Sequence, residues 1–105
     1  KIRSLAIEEG YKRAIDVPIS TMEAACGVVE TLKAQEALIG DEALSDLYMA
    51  ADLALTAFNG AKDTVMINVA ALKDDATRSV YSEKIQAMTE HMIEIHGDVA
   101  AFHRA

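Results

Sequence analysis

Apolar residues recur at helical spacing in four segments of the chain. The first, about residues 2–15, is followed by Pro18, which disfavours helical geometry in the residue before it. The second runs from Pro18 to about Ile39, where Gly40 is placed as a helix C-cap. Pro18 is compatible with a break between two helices or with a kink inside one. The pattern predicts an all-α fold, an antiparallel bundle of about four helices with short loops.

The third segment runs from about Asp46 to Leu72. The side chains of Ser45 and Asp46, at its start, are suited to an N-cap. Its polar residues are confined to one narrow stripe of Asp52, Thr56, Asn59 and Asp63. A helix that is small or apolar elsewhere is typical of the centre of a bundle. The face opposite the stripe consists mainly of small residues, which would allow a neighbouring helix to approach closely: Ala50, Leu53, Ala54, Ala57, Ala61, Thr64, Asn68 and Leu72.

The last segment follows a charged turn, Lys73 to Asp75, whose aspartates have capping potential. Its apolar residues alternate at spacings of four and three, as in a coiled-coil seam. The seam consists of Tyr81, Ile85, Met88, Met92, Ile95, Val99 and Phe102.

Composition and charge narrow the function classes. A chain of 105 residues is long enough for one domain with a core. Its net charge is −7 and its basic residues are scattered, which disfavours nucleic acids and anionic membranes as partners. No apolar run approaches the ~18 residues that span a bilayer. The single cysteine, Cys26, lies on an apolar stripe and is expected to be a core thiol rather than a nucleophile. We therefore expect a soluble, cytoplasmic protein.

Few residues suggest catalysis. A carboxylate-bridged metal site in a helix bundle needs Glu-x-x-His pairs, and the sequence contains none. We therefore expect no metal. The histidines of the last segment are interpreted as solvated or interface residues: His91, His96 and His103. Asp46 is either a helix cap or a ligand contact. Asn68 lies deep in an apolar helix, where it is either structurally hydrogen-bonded or a ligand contact.

The ordered set of short motifs between residues 14 and 74 resembles the second half of the formiminotetrahydrofolate cyclodeaminase and methenyltetrahydrofolate cyclohydrolase family. Two positions depart from that pattern: Asp41 stands where the family has Asn, and Thr64 replaces the first Asn of the run that closes the third helix. The motifs are Ala14-Ile15-Asp16-Val17-Pro18-Ile19, Gly40, Ser45-Asp46, Gly60-Ala61, Val65-Met66-Ile67-Asn68-Val69 and Lys73-Asp74.

The resemblance implies an enzyme that hydrolyses 5,10-methenyltetrahydrofolate, or that cyclises 5-formiminotetrahydrofolate with release of ammonia. It implies a reduced folate as substrate and no further cofactor. Asp46 and Asn68, with Ser45 beside Asp46, match family motifs and are the predicted substrate-binding residues. The catalytic residue is not assigned, because the family's amino-terminal portion, which carries the principal acid, has no counterpart in these 105 residues.

Two hypotheses stay open. In the first, residues 1–105 form a single helical domain, the carboxyl-terminal part of a longer cyclodeaminase-like domain in a folate enzyme. In the second, they form a non-catalytic helical assembly or binding module with the same bundle. The resemblance also implies a homodimer, for which the seam from Tyr81 to Phe102 is the predicted surface.

Overall fold

The computed structural model describes the backbone of residues 2–104 and the side chains of residues 2–100. In this part of the chain there are three long α-helices and no strand: α1 (Ile2–Gln35), α2 (Asp41–Ala70) and α3 (Asp75–Arg104), with a short 3-10 turn, Glu36–Leu38, between α1 and α2. The predicted all-α class is confirmed. The predicted count of about four helices is not, because the first two predicted segments form one helix.

Helix α1 continues through Pro18 without a break. Proline lacks the N–H that would bond to the carbonyl one turn earlier, and this loss normally disfavours a helix interior. On both sides of Pro18, however, the same stripe is buried: Ile15 before it, and Ile19 and Met22 after it. Since a break would remove one half of this stripe from the core, burial outweighs the local preference.

The start of α2 corrects two further predictions. Gly40 has φ −66° and ψ 155°, an extended conformation, and it is the N-cap of α2 rather than the C-cap of the preceding helix. Helix α2 therefore begins at Asp41, and Ser45 and Asp46 lie inside its second turn with exposed side chains. Neither of them caps the helix.

The helices alternate in direction, as contacts between their ends show. Glu8 near the start of α1 contacts Lys73 after the end of α2, whereas His96 near the end of α3 pairs with Asp52 near the start of α2. The bundle is long and narrow, 60 × 17 × 16 Å. None of its described helices has an apolar stretch that could cross a membrane.

One core connects all three helices. Phe58 on α2 is its largest fully buried side chain. The other members come from each helix in turn: Ile15, Ile19, Met22, Ala25, Cys26 and Val29 from α1, Leu47, Ala51, Ala54, Val65 and Val69 from α2, Leu72 from the following turn, and Ile85, Met92, Ile95 and Val99 from α3.

The predicted seam of α3 is thus part of the intrachain core. Ile85, Met92, Ile95 and Val99 are buried against α1 and α2, and Tyr81 and Met88 pack partly buried beside them. Phe102 lies outside the described side chains, as does His103. The expectation that this seam forms a dimer surface is wrong, because its apolar area is already covered within the chain.

The exposed and buried sides of α2 also differ in part from the prediction. Its polar stripe, from Asp52 to Asp63, is exposed as expected. The predicted close-approach face is only half correct: Ala54 and Leu72 are buried, but Leu53, Ala57 and Thr64 are exposed. The buried side is rotated towards Ala51 and Phe58, so one apolar side of α2 has no neighbour in the described part of the chain.

The turn between α2 and α3 has the capping role that its sequence predicts. The Asp74 carboxylate accepts a hydrogen bond from the Thr77 hydroxyl (2.5 Å) and from the first backbone N–H groups of α3. From α1, the Glu8 carboxylate accepts the Lys73 backbone N–H at 3.0 Å. Arg78 donates to the Leu72 carbonyl at 2.9 Å. The end of α2 and the start of α3 are thereby fixed at one end of the bundle.

Candidate functional site: the groove between α2 and α3

A groove of about 810 Å³ lies between the second half of α2 and the first half of α3. This volume is within the range of about 300–1,000 Å³ that is typical of small-molecule sites. Twelve residues line it: Lys62, Met66, Val69 and Ala70 from α2, and Asp75, Arg78, Ser79, Ser82, Ile85, Gln86, Thr89 and Glu90 from α3.

The groove has an apolar floor and a polar rim. Met66, Val69 and Ile85 supply apolar surface, and Val69 and Ile85 are also members of the core. Because these two side chains are held by core packing, the floor is rigid. A floor of this kind suits a flat ring system, and the rim supplies the groups that would orient it.

Two cationic side chains, Arg78 and Lys62, lie on the rim of the groove, and they differ in whether they are paired. Arg78 already has partners within the chain, since it donates a hydrogen bond to the Leu72 carbonyl and forms an ion pair with Asp75. Lys62 is half-buried and has no ion-pair or hydrogen-bond partner among the described residues. A lysine ammonium group without a partner among the described residues, beside an apolar floor, can form a charge-assisted hydrogen bond to a ligand carboxylate.

The neutral polar groups of α3 face the same groove. Ser79, Ser82 and Gln86 follow each other at spacings of three and four, so they form one stripe on the helix. Gln86 donates to Glu90 at 3.3 Å, which leaves the Gln86 carbonyl oxygen for a ligand donor. This stripe is visible in the sequence beside the α3 seam, but it resembles an ordinary solvated face. Only the position of α2 makes it one wall of a groove.

The three predicted substrate-binding residues lie elsewhere. Ser45 and Asp46 are in the second turn of α2, and Asn68 is in its last turn. At about 1.5 Å per helical residue, Asp46 and Asn68 are about 33 Å apart, so one chain does not bring them together. Asn68 is half-buried and donates to the Thr64 carbonyl at 3.0 Å. None of the three lines the groove, and their contact with a substrate stays a prediction.

Two histidines of α3, His91 and His96, pair with carboxylates of the other helices. His91 lies 2.5 Å from Glu30 of α1, and His96 lies 2.8 Å from Asp52 of α2. With the Lys33–Asp98 ion pair at 2.7 Å, they connect α3 to both of its neighbours. The described residues contain no group of three His, Cys, Asp or Glu side chains that could hold a metal ion.

Two buried groups have raised pKa values. Burial raises the pKa of the Cys26 thiol, and the nearby Glu30 and Glu23 carboxylates raise it further. The thiol is therefore poorly suited to act as a nucleophile, in agreement with its place in the core. Burial also raises the pKa of Glu36, whose exposure is 8% and whose Oε2 atom has no hydrogen-bond partner in the described part of the chain. Glu36 lies at the opposite end of the bundle from the groove.

Comparison with known protein families gives one match. A family model described as Formiminotransferase-cyclodeaminase matches residues 1–87, most of the chain and most of the groove. Neither the curated proteins nor the solved structures contain a significant match.

Proposed function

This chain belongs to the formiminotransferase-cyclodeaminase family, and from that membership we propose that it binds a reduced folate in the groove between α2 and α3 as part of a one-carbon enzyme. The observation that carries the proposal is an apolar floor beside the Lys62 ammonium group, which has no partner among the described residues, in a chain of this family. The reaction proposed is hydrolysis of 5,10-methenyltetrahydrofolate or cyclisation of 5-formiminotetrahydrofolate with release of ammonia.

The chemistry of a reduced folate fits the groove in two respects. Its pterin and aminobenzoyl rings are flat and would pack on Met66, Val69 and Ile85, while its glutamate carboxylates would pair with Lys62. The pterin also carries several hydrogen-bond donors and acceptors. Ser79, Ser82 and Gln86 supply complementary groups along one wall.

Both reactions depend on proton transfer at the one-carbon bridge. In hydrolysis, water adds to the methenyl carbon and loses a proton as a carbon–nitrogen bond opens. In cyclisation, a folate nitrogen attacks the formimino carbon and ammonia leaves. A positioned carboxylate would serve either reaction. We leave that residue unassigned, and we propose that the chain supplies the binding wall and that the reaction uses no cofactor beyond the folate.

Binding can be tested with 5-formyltetrahydrofolate, a stable reduced folate, titrated by calorimetry. We expect Lys62→Ala to weaken binding by about 10- to 100-fold, the loss of one charge-assisted hydrogen bond. Lys84→Ala is the matched control, since Lys84 lies on α3 outside the groove and pairs with Glu23. Equal affinities of the wild type and Lys62→Ala would refute the groove assignment.

Turnover is tested separately by the loss of methenyltetrahydrofolate absorbance. Asp46→Ala and Asn68→Ala belong in this assay, because both positions match the family's motifs. Unchanged turnover in both variants would remove them from the site.

The second candidate function is a non-catalytic assembly module. It is favoured by the uncovered apolar side of α2, on which Leu53 and Ile67 are exposed. Binding of the folate without any turnover would support this candidate over the enzyme. In either case we propose a homodimer, formed by a surface other than the α3 seam.

A further inference from the structure

Met66 places an exposed thioether on the floor of the groove between α2 and α3. The chain contains five methionines, of which Met22 and Met92 are fully buried in the core and Met88 packs partly buried beside it. The side chains of Met49 and Met66 are 58% and 52% exposed. Of the five, all within the described residues, only Met66 lines the groove. A small oxidant in solution can therefore reach a sulfur atom at the candidate site.

From this position we infer that Met66 is an oxidation site, at which a peroxide converts the thioether to a sulfoxide and so closes the groove to anionic ligands. The consequence for folate binding rests on the proposed function of the groove. The oxidation itself and its effect on the neighbouring Lys62 do not, since both depend only on exposure and on the geometry of α2.

The cysteine of the chain does not compete for the oxidant. A thiol is oxidised through its thiolate, and burial together with the Glu30 and Glu23 carboxylates raises the pKa of Cys26. The Cys26 side chain is also only 7% exposed. A thioether has no proton to lose, so its exposure governs its rate of oxidation. We therefore expect Met49 and Met66 to react before Cys26.

The reaction transfers one oxygen atom. A lone pair of the Met66 Sδ atom attacks one oxygen of hydrogen peroxide, the O–O bond breaks, and the departing hydroxide takes the proton of the transferred oxygen to become water. The sulfur loses two electrons and the peroxide gains them. The product is a polar sulfoxide in place of an apolar thioether. A dithiol-dependent reductase reverses the step, because the dithiol becomes a disulfide as the sulfoxide oxygen leaves as water.

The sulfoxide oxygen forms beside the Lys62 ammonium group. Lys62 and Met66 are four residues apart on α2 and both line the groove, so their side chains are neighbours on one face of the helix. Side chains of an α-helix lean towards its amino terminus, which directs Met66 over the turn that carries Lys62. Lys62 has no ion-pair or hydrogen-bond partner among the described residues. Because a thioether is only a weak acceptor and a sulfoxide oxygen is a strong one, oxidation gives Lys62 a partner within the chain.

Oxidation changes both features that the groove offers to a ligand. The floor of Met66, Val69 and Ile85 gains a polar oxygen, which a flat ring system would cover without a hydrogen bond. The Lys62 ammonium group is drawn to that oxygen and away from a ligand carboxylate. Met49 is the internal control, since it lies about 25 Å from Met66 along α2 and does not line the groove.

Peptide mass spectrometry of the whole chain, treated with hydrogen peroxide at neutral pH, tests the site without any folate. We expect Met49 and Met66 to be oxidised at least about tenfold faster than Met22 and Met92, whose sulfurs react only after the fold opens. Acylation of Lys62 by an amine-reactive ester should slow by about twofold on oxidation, the effect of one side-chain pair four residues apart, and should not change on treatment of Met66→Leu. Lys84, paired with Glu23, is the matched control for acylation. Equal oxidation of exposed and buried methionines, or an unchanged Lys62 rate, would overturn the inference.

Calorimetry with 5-formyltetrahydrofolate, after the peroxide has been removed, tests the consequence for binding. The oxidised wild type should bind at least about fivefold more weakly than the untreated protein, because a polar oxygen is covered without a partner. Treated Met49→Leu should lose the same factor, whereas treated and untreated Met66→Leu should bind alike. Methionine sulfoxide reductase should restore the wild type, and circular dichroism checks that the helices persist. Equal binding before and after complete oxidation of Met66 would refute the closure of the groove, whereas no binding by the untreated protein would refute the proposed function instead.

Discussion

The assignment of the α3 seam to the intrachain core can be tested with two neighbouring residues. Met92 is fully buried against α1 and α2, whereas Ile93, the next residue, is 66% exposed. We expect Met92→Ala to destabilise the chain strongly and Ile93→Ala to have almost no effect. The two substitutions remove side chains of similar size from the same helix, so their difference isolates burial.

The expected magnitude follows from the loss of buried area and the cavity that remains. Truncation of a buried methionine to alanine costs about 2–5 kcal/mol. Domains of this size are stable by about 5–15 kcal/mol in total, so the variant loses a large share of that stability. Ile93→Ala leaves no cavity and should change the free energy of unfolding by less than about 0.5 kcal/mol.

Urea unfolding followed by circular dichroism measures both variants. With a slope of about 1.5 kcal/mol per molar urea, a loss of about 3 kcal/mol lowers the midpoint by about 2 M. The difference between the variants should be the same at low and high protein concentration, because the contacts are within one chain. Equal midpoints, or a difference that vanishes at high concentration, would show that the seam is not part of the intrachain core.

Three further predictions concern single groups. Because burial raises the pKa of Glu36, the melting temperature of the chain should fall as the pH rises from the ordinary glutamate pKa through the raised one. Glu36→Gln should abolish this decline. A decline that persists in the variant would contradict the assignment. The Thr77 hydroxyl and two backbone N–H groups lower the pKa of Asp74, so its contribution to folding stability is present at neutral pH and is lost as the pH falls through the lowered value. Asp74→Ala should therefore melt at a lower temperature than the wild type at pH 7, and the difference should narrow in acid. A difference that stays constant with pH would argue against the capping role. Burial and the nearby Glu30 carboxylate raise the pKa of Cys26. Its thiol should therefore react with iodoacetamide at pH 7.5 at least about tenfold more slowly than free cysteine. Equal rates would show that the thiol is accessible.

The candidate groove consists of residues that the sequence by itself does not bring together. Motif matching selected Ser45, Asp46 and Asn68, which all lie on one helix. The groove instead combines Lys62 and Met66 of α2 with a polar stripe of α3. These residues come together only because α3 packs beside the second half of α2. A polar stripe on a single helix does not show whether it faces solvent or a second wall.

Local patterns determined the helical class, the position of the α2–α3 turn and the burial of Cys26. These properties depend on spacing and on capping groups within a few residues, so the sequence contains all the information required. Tertiary structure decided three other properties: that α1 continues through Pro18, that the α3 seam is intrachain, and that one apolar side of α2 has no neighbour among the described residues. In each case an apolar stripe has several possible partners. Only the packing of all three helices fixes which one covers it, because burial against the core contributes more free energy than the local preference of any one residue.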